Sequence, residues 1–146
     1  MTDELKAKVL LVDDEEDFLS TLAERLQTRG LEVNTATSGE QAVAKAEEQC
    51  YDLIILDLAM PGMDGIETLK LIKGKQPDAE IIFLTGQGSI KTSIEAMKLG
   101  AEDFLEKPVN ISDLLDRIRD AKDKRLLVVD SKNVKDIDKI LKSKGW

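Results

Sequence analysis

The chain has 146 residues, 42% of them hydrophobic and 34% charged, with a formal net charge of −8. That balance suits one soluble globular domain with a sizeable core, and its acidity argues against nucleic acid as the main partner. Histidine is absent and Cys50 is the single cysteine, which excludes His-based catalysis, His-ligated metals and an internal disulfide, and predicts a reducing, cytoplasmic setting. The N-terminal "MTDELKAK" lacks the apolar stretch of a signal peptide, and no apolar run nears the roughly 18 residues of a membrane span.

In chain order, "VLLV" at 9–12 predicts a first strand buried on both faces, ending in Asp13 and Asp14. Phe18, Leu22 and Leu26 then recur at helical spacing, with Gly30 where a left-handed C′ residue belongs. "EVNTA" at 32–36 is a weaker strand, and Ser38 with Gln41 makes a capping box for the second helix. "LIIL" at 53–56 predicts the third strand, which runs into Asp57 and then a Pro61-Gly62 turn. Ile66, Leu69 and Ile72 mark the third helix, with Gly74 expected as its C′ residue. "IIFL" at 81–84 predicts the fourth strand, ending at Thr85; Ile90, Ile94 and Met97 mark the next helix, closed by Gly100. "DFLE" at 103–106 is a fifth, weaker strand before Lys107-Pro108, and Asn110 caps a helix carrying Leu114, Leu115 and Ile118.

Five β-α units in alternation imply an α/β fold, a doubly wound parallel sheet with helices on both faces. Such sheets bind ligands outside the carboxyl ends of their strands. Asp13, Asp14, Asp57, Thr85 and Lys107 all fall there. Each alone has an ordinary explanation as a cap, turn or loop residue. Together they form a constellation. Three carboxylates in one place repel unless a cation joins them, and an oxygen-only donor set suits Mg²⁺. Thr85 can donate a hydrogen bond to a phosphoryl group and Lys107 can supply a point charge. Asp57 is then the candidate nucleophile, because carboxylates form aspartyl-phosphates.

The segments "LLVDDE", "DLIILDLAMPGMDG", "FLTGQGS" and "AEDFLEKP" occur in order and at matching spacing over residues 6–123. In these segments the chain resembles the receiver domain of two-component response regulators. The resemblance implies a flavodoxin-like sheet of strand order 2-1-3-4-5 and a phosphorylation-dependent switch rather than a turnover enzyme. A sensor histidine kinase or phosphotransfer protein would phosphorylate Asp57; the missing histidine fits, since the donor histidine belongs to that partner. The resemblance further implies that Asp14, Asp57 and the Ala59 carbonyl ligate Mg²⁺, with Asp13 acting mostly through water, and that Thr85 and Lys107 bind the phosphoryl oxygens. It implies a cis bond before Pro108, a switch role for Thr85 and Phe104, and control of water access by Ala59 and Gln87. Signalling would pass to a downstream protein through the helix 4, strand 5 and helix 5 face, or to a second copy in a phosphorylation-dependent homodimer, with no direct nucleic-acid or membrane contact.

An alternative is an Mg-dependent aspartyl-phosphate hydrolase of the haloacid-dehalogenase type, which also uses an Asp nucleophile. That family carries a second acid two residues later, where this chain has Ala59. Residues 1–123 are therefore expected to form the receiver domain, and 124–146 an extension with no separate domain. In the extension, "LLVV" at 126–129 is expected as a further strand, and Val134, Ile137 and Leu141 as one face of a terminal helix. A fifth helix running on through "LLVV" is the competing arrangement.

Overall fold

The computed structural model describes residues 6–57, 65–85 and 90–124. Five strands alternate with helices: β1 (Lys8–Val12), α1 (Glu16–Gln27), β2 (Glu32–Ala36), α2 (Gly39–Glu48), β3 (Leu53–Asp57), α3 (Gly65–Lys75), β4 (Ile81–Thr85), α4 (Ile90–Lys98) and β5 (Asp103–Glu106). A last helix, α5, covers 111–124. The strands form one parallel sheet in the order β2-β1-β3-β4-β5, the doubly wound order expected.

Side chains alternate across a strand, so each apolar run feeds two cores. Leu10, Val12, Ile54, Leu56, Ile81 and Phe83 pack on one face with Ala42 and Ala46 of α2, Leu69 and Ile72 of α3, and Ala96 of α4. Val9, Leu11, Leu53, Ile55, Ile82 and Leu84 pack on the other with Leu19, Leu22 and Leu26 of α1 and Leu114 and Ile118 of α5. Double-sided burial is why these strands read as unbroken apolar runs. The outer strand β2 is only partly buried, and its sequence is correspondingly weaker.

The punctuation follows the chemistry. The Ser38 hydroxyl accepts from the Gln41 N–H at 3.2 Å, while the Gln41 side chain reaches back to the Thr37 N–H, one residue before the cap. Asn110 accepts from the Asp113 N–H at 3.2 Å. Gly30 and Gly100 take φ values of 87° and 109° and end α1 and α4. Gly74 departs from expectation. It lies inside α3 with no left-handed φ, and the helix runs one residue further to Lys75. Pro77 lies just beyond, and a residue preceding proline is disfavoured in helical geometry, which accounts for the stop. The expected strand and helix within 126–146 lie outside the described residues.

Candidate functional site

Strand register assembles the site. β1 and β3 pair Leu11 with Ile55 and Val12 with Leu56, so the next residues, Asp13 and Asp57, stand level at the carboxyl ends. β3 and β4 pair Asp57 with Leu84, which places Thr85 one step further along the neighbouring strand. The Lys107 N–H donates to the Thr85 carbonyl at 2.8 Å, tying the end of β5 to the same rim.

Asp13, Asp57 and Thr85 are all buried, and Asp14 is exposed. One oxygen from each of Asp13, Asp14 and Asp57 lies within 4.8 Å of the others. Asp13 is held at both ends. One oxygen accepts from the Glu15 N–H at 2.9 Å, and the other from the Lys107 ammonium at 2.8 Å. The same ammonium stands 3.8 Å from Asp57 Oδ2 and 3.8 Å from Glu15 Oε1. Burial alone would lower the lysine pKa. The hydrogen bond to Asp13 and the charges of Asp57, Asp13 and Glu15 outweigh it and hold Lys107 above its ordinary 10.5, fully protonated.

Among the described residues, four carboxylates face one ammonium at the rim, which leaves it strongly negative, and the acidic donors are hard oxygens. That composition fits Mg²⁺. Asp13, Asp14 and Asp57 are the side chains that would hold it, and when bound it would neutralise charge on a phosphoryl group.

The structure thus brings together Asp13, Asp14, Asp57, Thr85 and Lys107, the five rim residues read from the sequence. The Lys107-Pro108 bond is cis, as the resemblance implied. Phe104 pairs in register with Phe83, and Thr85 with Glu106, so Phe104 sits on the strand beside Thr85 and two steps back. Its ring is turned outward, 39% exposed. Ala59 and Gln87 lie outside the described residues. Two neighbours of Lys107 were not anticipated. Glu15 had a signal, the acidic run "DDEE". Phe18 had none beyond its place in an apolar helical stripe, yet its ring centroid is 4.6 Å from the Lys107 ammonium.

Comparison with known proteins agrees with this geometry. The family model described as response regulator receiver domain matches residues 9–119. The transcriptional regulatory protein ZraR of Escherichia coli K12 is 40% identical over 106 residues, covering 73% of this chain and 24% of ZraR. The acid tolerance regulatory protein ActR of Rhizobium meliloti is 37% identical over 107 residues, covering 73% of this chain and 55% of ActR. The chain therefore spans between about a quarter and about half the length of these curated relatives. Among solved structures, a response regulator receiver domain protein from Clostridium thermocellum superposes with a TM-score of 0.81 at 37% identity, covering 84% of this chain and 98% of that one. The chemotaxis protein CheY4 of Vibrio cholerae gives 0.74 at 35% identity, covering 80% and 99%. Aspartate phosphorylation and Mg²⁺ binding are general properties of such domains, which act with histidine kinases or phosphotransfer proteins. The chain belongs to the response regulator receiver domain family of two-component systems.

Proposed function

We propose that Asp57 is the phosphoacceptor of this receiver and that Thr85 and Lys107 bind the transferred phosphoryl group. One observation carries the reading: the Asp57 carboxylate is buried at the rim, level with Asp13, with a protonated lysine 3.8 Å away. An Asp57 oxygen attacks the phosphorus of a phosphohistidine on the kinase or phosphotransfer partner. The P–O bond forms as the P–N bond breaks, and the imidazole nitrogen takes the electron pair. Lys107 and the Thr85 hydroxyl then meet the phosphoryl oxygens. Asp13, Asp14, Asp57 and the Ala59 carbonyl are the proposed Mg²⁺ ligands, with Ala59 and Gln87 setting water access. Within this reading, residues 1–123 are the receiver unit and 124–146 an extension to it.

Phosphorylation adds charge at one rim and biases two conformations. We place the output, to a downstream protein or a second copy, on α4, β5 and α5, through Thr85 and Phe104. Ile94, Met97 and Phe104 support this, being large apolar side chains left 52%, 40% and 39% exposed on α4 and β5. The test is intact-mass analysis after incubation with Mg²⁺ and acetyl phosphate. One phosphoryl group should appear on the wild type and none on Asp57→Asn. Equal phosphorylation of the variant would remove Asp57 from this role, and steady turnover of a phosphate ester would favour the hydrolase alternative.

A further inference from the structure

We infer that Phe18 is a positioning residue for Lys107: its ring face holds the ammonium at the rim and so governs how readily that charge reaches a phosphoryl group on Asp57. The inference rests on the phosphoacceptor reading above and deepens it.

The contacts around Lys107 divide into two kinds. One kind is carboxylates, Asp13 at 2.8 Å, then Asp57 and Glu15 at 3.8 Å each. The other is the Phe18 ring, with its centroid 4.6 Å from the ammonium, inside the range of a cation–π contact. The lysine side chain is only 22% exposed, so the ring occupies ground that water would otherwise hold. An aromatic face attracts the ammonium without offering it a hydrogen-bond acceptor. It therefore confines the charge to the rim while leaving its donors free to turn from Asp13 toward an oxygen on Asp57. A fourth close carboxylate in that place would hold the lysine by hydrogen bonds instead.

The backbone puts Phe18 there for reasons independent of this contact. It lies in the first turn of α1, just after Asp13, Asp14 and Glu15, and it is packed against the core shared by α1 and α5. The same ring lines a cleft of about 210 Å³ with Pro108, Val109 and Ile111, the residues that follow Lys107. Packing against that core explains why an apolar residue is needed, and leucine would satisfy it. The lysine contact is what requires an aromatic.

Leucine and tyrosine substitutions separate the two roles. In the wild type, the Lys107 ε-methylene protons should be shifted upfield by the ring current, as seen by NMR. Phe18→Tyr should keep the shift, whereas Phe18→Leu should lose it with little change in melting temperature. With Mg²⁺ and acetyl phosphate, Phe18→Leu should phosphorylate about two- to fivefold more slowly, the change expected when a contact of ~0.5–1 kcal/mol is removed. Phe18→Tyr should stay close to wild type. Random-coil ε-methylene shifts in the wild type, or a wild-type phosphorylation rate in Phe18→Leu, would overturn the inference. Failure of the wild type itself to be phosphorylated on Asp57 would instead overturn the phosphoacceptor reading, with the ring-current result unaffected.

Discussion

Lys107 donates to Asp13 at 2.8 Å and stands 3.8 Å from Asp57, so in this structure the lysine is the internal counter-ion of the acidic rim. Asp57 has the charge nearby but not its closest hydrogen bond. A phosphoryl group on Asp57 offers the ammonium more oxygens than Asp13 does, which gives Lys107 a reason to turn.

The exposed member of the trio, Asp14, has no bond to Lys107 among those the structure shows. It contributes repulsion to Asp13 and Asp57, and among the described residues no ion pair of its own offsets this. Asp14→Asn is therefore expected to be as stable as the wild type in chelator, or more so by up to ~1 kcal/mol, and to lose most of its stabilisation by Mg²⁺. Thermal melts with and without metal check both halves. A clear drop in the melting temperature of the metal-free variant would make Asp14 a structural residue.

Glu80 predicts a pH dependence at the opposite end of the sheet. It is 6% exposed just before β4, with one carboxylate oxygen lacking a hydrogen-bond partner among the described residues. Burial first, then the hydrogen bond and charge of Glu102, push its pKa from 4.5 up to about 7, against the pull of Lys124 and Lys73. Glu102 is shifted the other way. Its burial is outweighed by hydrogen bonds to Lys124, at 2.5 Å, and to Glu80. The pair thus keeps its proton on Glu80. Between pH 4.5 and 7 the folded chain holds a proton that the unfolded chain has released, so this contribution to stability falls as pH rises through that window. Glu80→Gln keeps the hydrogen-bonding shape without the charge. It should be more stable than the wild type at pH 8, by on the order of 1–3 kcal/mol, and close to it at pH 5. Urea unfolding at the two pH values measures the difference; equal slopes against pH in both proteins would contradict the assignment.

Two glycines should respond oppositely to alanine. A Cβ on Gly74 meets nothing within 4 Å, and the residue is helical. Gly74→Ala is expected to stabilise by ~0.5–1 kcal/mol, because alanine loses less backbone freedom on folding. Gly100 has a φ of 109°, and a Cβ there would come within 3.3 Å of the Lys73 side chain. Gly100→Ala should destabilise by ~1 kcal/mol or more. Denaturant midpoints decide both signs.

Phe104 lies outward, 39% exposed, beside a buried Thr85. If Thr85 is drawn toward a phosphoryl group, the ring can follow into the space behind it, and it carries no hydroxyl to anchor it in water. The free protein should then show microsecond-to-millisecond exchange at Phe104, and beryllofluoride should shift resonances across 86–106. A flat relaxation-dispersion profile, with mimic-induced shifts confined to the rim, would remove Phe104 from the switch.

The order and type of the elements were legible in the chain because burial on both sheet faces forces unbroken apolar strands, and packing on one side forces a 3.6-residue period. The five rim residues were legible for a related reason. Each ends a strand or comes within two residues of its end, and a parallel sheet sends every such position to one edge. Local hydrogen bonds settled Ser38 and Asn110 as caps, which need only three residues of context. Tertiary structure alone decided the rest. That Lys107 rests on Asp13 depends on the registers that run from β1 through β3 and β4 to β5, and its contact with Phe18 depends on how α1 lies at the rim. Nothing in the spacing of residues 18 and 107 carries that contact. The same holds for Glu80, Glu102 and Lys124, which read as ordinary surface charges until β4, β5 and α5 are set side by side. Periodicity reports which side of an element is buried, whereas the distance between two charges depends on how separate elements are placed.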